Sequence, residues 1–221
     1  MNRALQRWIE ICMGVIFPSR DQVSKIEALS PREFAIRATR VVDELPKSIY
    51  SLFKYKDPLV RQALWALKYE GNRKIGRLFA ILLYDTLIEI ISEATLYDNF
   101  SQPLFIPIPL SKERYKERGW NQAEIIVQEI IKLYPQSDWQ YEKNILQKVK
   151  HTMPQTKLSR AKRLENLKNC FATNPEKLKI IKNRNIVLVD DVVTTGSTIQ
   201  EARRTLLEAG ARQVLAFTVA H

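Results

Sequence analysis

Ile186–Thr198 reads IVLVDDVVTTGST. Its first four residues, Ile186 to Val189, are apolar without a polar face, the pattern of a strand buried on both sides in a parallel sheet. Asp190 and Asp191 stand at the carboxyl end of that strand, the edge where open α/β sheets bind ligands. A loop of small hydroxyls with one glycine then runs into a helix expected over Thr198–Ala209 and stopped by Gly210. The amides of Thr195 to Thr198, with the Thr and Ser hydroxyls, can surround a phosphate monoester at the positive end of the helix dipole. Gly196 lets the backbone come close to it. Two carboxylates would repel that phosphate, so they suit neighbouring sugar hydroxyls, or a Mg²⁺ ion and its waters. A sugar phosphate uses both halves. A plain N-cap would account for Ser197 or Thr198, but not for two acids beside Thr-Thr-Gly. A nucleotide triphosphatase would need a glycine-rich lysine loop after a strand. The nearest approximation, Gly71-Asn72-Arg73-Lys74-Ile75-Gly76, lies between helices and is followed by Arg77-Leu78.

Outward from this segment, the second half of the chain alternates strands and helices. Strands are expected at Leu104–Pro109, Ile145–Val149, Cys170–Ala172 and Val214–Val219, and a helix through Ala123, Ile126, Val127, Ile130 and Ile131. Ser111–Gly119 reads as a polar basic loop. Before residue 100 the chain is mostly helical. Helices are expected at Ala4–Phe17, from the Ser30-Pro31-Arg32-Glu33 capping box through Val42, from Asp57-Pro58 to Gly71, and over Lys74–Glu93. Residues 48–55 have strand composition. The fold class is α/β, a parallel sheet flanked by helices over residues 48–221, with a helical N-terminal appendage over residues 1–47.

The chain has 221 residues, 45% of them hydrophobic and 27% charged, with 35 Lys and Arg against 24 Asp and Glu. The net charge of +11 points to anionic partners without choosing one. Between Lys143 and Arg184 twelve cations face only Glu165 and Glu176. Such an imbalance repels itself unless an anion is bound. Cys12 and Cys170 are the only cysteines, which excludes a disulfide framework and paired-cysteine zinc sites. No apolar run approaches a membrane span, and Arg7 and Glu10 interrupt any signal-like stretch. A reduced, cytoplasmic location without membrane insertion is expected.

IVLVDDVVTTGST closely resembles the motif that binds phosphoribosyl pyrophosphate (PRPP) in type I phosphoribosyltransferases. Leu67–Gly71, Ile106–Leu110, Arg118–Ala123, Thr152–Gln155, Arg163 and Asn166–Phe171 narrow the resemblance to the ComF-type competence family, over about residues 50–221. The resemblance implies that Asp190 and Asp191 hold the ribose hydroxyls, with Mg²⁺ held through PRPP and waters. It implies that Thr194, Thr195, Gly196, Ser197 and Thr198 form the 5′-phosphate loop. The turn Leu110-Ser111-Lys112 would bind pyrophosphate. Residues 150–168 would form a mobile cationic loop, with Arg160, Lys162 and Arg163 neutralising the leaving group.

The family commonly opens with a zinc-binding segment of paired cysteines. Cys12 has no cysteine nearby, and neither His151 nor His221 completes a site, so no zinc is expected and Cys12 reads as a core residue. Trp8 and Trp65 read as core, and Trp120 is open. Two functions follow. One is Mg²⁺-dependent phosphoribosyl transfer from PRPP to an unidentified acceptor. The other is a non-catalytic accessory role in natural competence, with the cationic segment touching single-stranded DNA or a helicase partner.

Overall fold

Each face of the Ile186–Val189 run meets a different apolar layer, which is why the run carries no polar residue. In the computed structural model, which describes residues 18–42, 45–149 and 169–221, Val187 and Val189 pack into one core and Ile186 and Leu188 into another. The strand's period of two distributes them. The chain order is α1 (Arg20–Glu27), α2 (Pro31–Arg37), β1 (Ile49–Phe53), α3 (Pro58–Glu70), α4 (Arg73–Asp98), β2 (Leu104–Pro107), α5 (Lys112–Arg118), α6 (Gln122–Leu133), β3 (Gln140–Tyr141), β4 (Leu146–Lys148), β5 (Phe171–Thr173), a 3₁₀ turn at Pro175–Lys177, α7 (Leu178–Ile181), β6 (Asn185–Val192), α8 (Ser197–Glu208) and β7 (Gln213–Ala220).

Five strands form one parallel sheet in the order β1-β7-β6-β2-β3. Helices α3, α4 and α6 bury Leu67, Phe79 and Ile126 against one face. Helix α8 covers the other with Ile199, Ala202 and Leu206. The connections after β2 and β6 leave to opposite faces, so a crevice opens between these neighbouring strands at their carboxyl ends. Strands β4 and β5 form a separate antiparallel pair. No helix among the described residues is long and apolar enough to cross a membrane.

The chain before β1 joins the same core. Phe34 of α2 is fully buried, edge-on to Phe53 at 5.6 Å and to Phe79 at 5.9 Å. Glu27 at the end of α1 accepts a hydrogen bond from Asn72 at 2.6 Å and pairs with Lys74 at 2.9 Å.

Four expectations change. Ser111–Gly119 is not a loop but contains α5, capped by Ser111 and ended by Gly119 in the left-handed region; no α5 residue is buried, so it offers no apolar periodicity to read. The helix begun by the Ser30 capping box stops at Arg37, short of Val41 and Val42, because Arg40 bridges to Phe53 beside β1. Helix α1 was missed although Ser19 and Gln22 form its capping box. Helix α4 also runs five residues past its expected end, to Asp98. The helix expected at Ala4–Phe17, with Trp8 and Cys12, lies outside the described residues, as does His151.

Candidate functional site

Strand β6 carries the two acids to the crevice. Asp191 is buried and Asp190 half-buried. The Asp190 carboxylate accepts a hydrogen bond from the Asp191 amide at 2.9 Å, and Asp191 accepts one from the Val192 amide at 3.0 Å. Burial first, and the neighbouring Asp191 charge second, hold the Asp190 carboxyl well above the usual carboxylate range. Lys68, at the end of α3, acts in the opposite sense. The ammonium of Lys148 on β4 lies over the Phe171 ring at 5.9 Å; burial pulls it below the usual lysine range, and the Arg114 charge adds to this, while Cys170 and Asp190 oppose it.

Beyond the acids the chain forms a short loop that leads into α8. Thr194 and Thr195 are exposed, Ser197 and Thr198 half-buried, and Gly196 is buried at φ +76°. Gly196 is the N-cap of α8 and supplies no side chain to its first turn. The hydroxyls of Thr195 and Ser197 lie 2.8 Å apart. The Ser197 amide donates to the Thr195 hydroxyl at 3.4 Å, so these hydroxyls sit at the positive end of the helix dipole. Ile49 and Pro46 close the loop's rear: a Cβ on Gly196 would stand 3.3 Å and 3.4 Å from them.

Across the crevice, the Ile108 amide donates to the Val189 carbonyl at 2.8 Å, fixing the turn after β2 beside the end of β6. Buried Asn121, the cap of α6, donates to the Ile108 carbonyl at 2.9 Å and secures the same turn from behind. Leu110 is half-buried, Ser111 is buried as the α5 cap, and Lys112 is exposed on the first turn of α5. The turn Leu110-Ser111-Lys112 and the loop Thr194–Thr198 thus flank one crevice, with the acids between them.

Arg160, Lys162 and Arg163 lie outside the described residues. The flanks of that segment are held, since Val149 donates to the Cys170 carbonyl at 2.9 Å and Arg204 of α8 donates to Asn169 at 2.9 Å. The rest of the cationic stretch is divided. Lys177 pairs with Glu142 at 2.8 Å, and Arg184 donates to Gln140 and to the Gln102 carbonyl, each at 3.0 Å. Lys177 and Arg184 thus bond to residues in and beside β3, whereas the Asp190 charge acts on Lys148.

Sequence reasoning gave Lys68 and Lys148 no place in the site. Lys68 lay within a quoted family segment, but 122 residues separate it from Asp190, and only the packing of α3 beside β6 joins them. Trp120 is settled as a structural residue. Its indole N–H donates to the Leu67 carbonyl at 3.2 Å, and its ring covers Gly71.

Residues 118–221 match the phosphoribosyl transferase domain family. The chain is 35% identical over 152 residues to Competence protein F of Haemophilus influenzae, covering 66% of this chain and 61% of that one. It is 32% identical over 161 residues to the DNA utilization protein YhgH of Escherichia coli strain K12, covering 71% of this chain and 63% of the relative. The chain thus spans a little over three-fifths of these two relatives, 61% and 63%. Competence protein ComFC of Bacillus subtilis is 30% identical over 213 residues, which cover 93% of this chain and 78% of that protein. The parallel sheet, the acid pair at its edge and these matches agree, and the chain belongs to the ComF-type competence family, with a phosphoribosyltransferase-type fold.

Proposed function

We propose that the crevice between β2 and β6 binds PRPP together with Mg²⁺. The observation that carries this reading is the sequence of parts along one backbone: two acids, then Gly196 in the left-handed region, then a helix start without a side-chain cap. The Thr194–Thr198 loop would take the 5′-phosphate, and Asp190 and Asp191 the ribose hydroxyls. Burial first, and the Asp191 charge second, make the charged Asp190 carboxylate costly, and a hydrated divalent ion beside the two acids would relieve that cost. When bound, Mg²⁺ supplies charge neutralisation to the pyrophosphate. Asp190 and Asp191 are the candidate catalytic residues, placed to stabilise positive charge developing at the ribose C1′. Leu110-Ser111-Lys112, with Arg160, Lys162 and Arg163, would receive the pyrophosphate as it leaves toward the cationic side.

Titration calorimetry with PRPP and Mg²⁺ tests the proposal. The native chain should bind, and Asp190→Asn/Asp191→Asn should bind at least tenfold more weakly. Equal heats from both, or none from the native chain, overturn it.

The names of the relatives, competence and DNA utilization proteins, favour a setting in DNA uptake. In this second reading the chain is a non-catalytic accessory that contacts single-stranded DNA or a helicase. Its electrostatic form requires binding of an oligonucleotide that weakens steeply with salt; a flat salt response sinks it.

A further inference from the structure

Tyr69 is half-exposed, at 49%, on the last turn of α3. Arg118 lies over its ring at 5.2 Å and the Lys68 ammonium at 5.9 Å. Trp65 supports the ring from within α3, centroid to centroid 5.4 Å. Gly71 and Trp120 lock the turn that follows. Neither Lys68 nor Arg118 has an ion-pair partner among the described residues; Arg118 reaches only Gln122, at 3.4 Å. Nearby α5 presents Arg114, Lys116 and a second exposed aromatic, Tyr115 at 51%, and Glu70, Glu113 and Glu117 are the acids of these two segments.

A half-exposed aromatic ring with a guanidinium and an ammonium close to it, neither in an ion pair among the described residues, suits one ligand chemistry, a planar base joined to a phosphate. Stacking supplies sequence-tolerant affinity, and the cations hold the backbone. A duplex hides its bases, so the feature selects an unpaired strand. We infer that Tyr69, with Arg118 and Lys68, forms a stacking site for an unpaired nucleobase of a single-stranded nucleic acid, placed outside the 143–184 cationic stretch. The inference rests on the nucleic-acid reading and gives it a location.

Fluorescence anisotropy of a labelled dodecathymidylate, at low salt and without PRPP, tests it. Tyr69→Leu is expected to weaken binding roughly five- to hundredfold, the worth of one stacked base. Tyr69→Phe should restore it. Tyr97→Leu, at the 81% exposed end of α4, should change nothing. A duplex of the same length should bind the native chain more weakly than the single strand. If the native chain binds but Tyr69→Leu binds equally, or the duplex binds equally, the stacking site is overturned while the electrostatic reading stands. If the native chain binds no oligonucleotide, both fall.

Discussion

Trp120 and Gly71 are fitted to each other: a Cβ on Gly71 would stand 2.9 Å from the Trp120 indole ring. Gly71 also holds φ +61°, the left-handed cap through which α3 turns into α4. Gly71→Ala combines backbone strain with a ring that cannot withdraw, because its N–H is bonded to Leu67. We expect a loss of about 2–3 kcal/mol. Thermal unfolding should show this as a fall of roughly 5–10 °C.

Gly196→Ala separates the phosphate loop from the stability of the whole. At φ +76° a side chain is strained by about 1–2 kcal/mol, and its Cβ would press on Ile49 and Pro46. The melting temperature should drop by only a few degrees. Affinity for PRPP should fall by more than tenfold, because the loop amides move with Gly196. Calorimetry beside thermal melts reads both quantities, and unchanged affinity would remove the loop from the ligand site.

Asp190→Asn should stabilise the chain at neutral pH while abolishing its ligand affinity. Burial and the Asp191 charge raise the Asp190 pKa above its ordinary 3.8, so the folded chain holds this proton more tightly than the unfolded one. The cost of the charged carboxylate is absent well below pH 3.8, grows as pH rises through the interval up to the raised folded value, and is complete above it. The gain in melting temperature, a few degrees for a change of ~1 kcal/mol, should be present at pH 8 and vanish toward pH 3. A gain independent of pH would show that ionisation is not its source.

The strand, the acid pair at its end and the start of α8 after Gly196 were legible because one continuous segment encodes them: burial on two faces leaves four apolar residues in a row, and the sheet edge begins where they end. The caps at Ser30, Asp57 and Gly71 were legible for the same local reason. Helix α5 was not, since Lys112–Arg118 buries nothing and is held by its caps at Ser111 and Gly119. The placement of Lys68 and Lys148 beside Asp190 was not legible either. It depends on how α3 and the β4–β5 pair lie against β6, a relation between segments far apart in sequence. Within the cationic stretch, sequence adjacency did not show that Lys177 pairs with Glu142 and that Arg184 bonds Gln140, both partners in or beside β3.

The β4–β5 pair has a mechanical consequence. Lys148 lies opposite Phe171 in the ladder, Leu146 opposite Thr173, and Asn169 is tied to Arg204 on α8. The chain therefore departs at residue 149 and returns at residue 170 through a single clasp, about one strand spacing wide. The ladder thus fixes Lys148 through a strand remote from it in sequence, and any change that opens the β4–β5 pair releases residues 149 and 170 together.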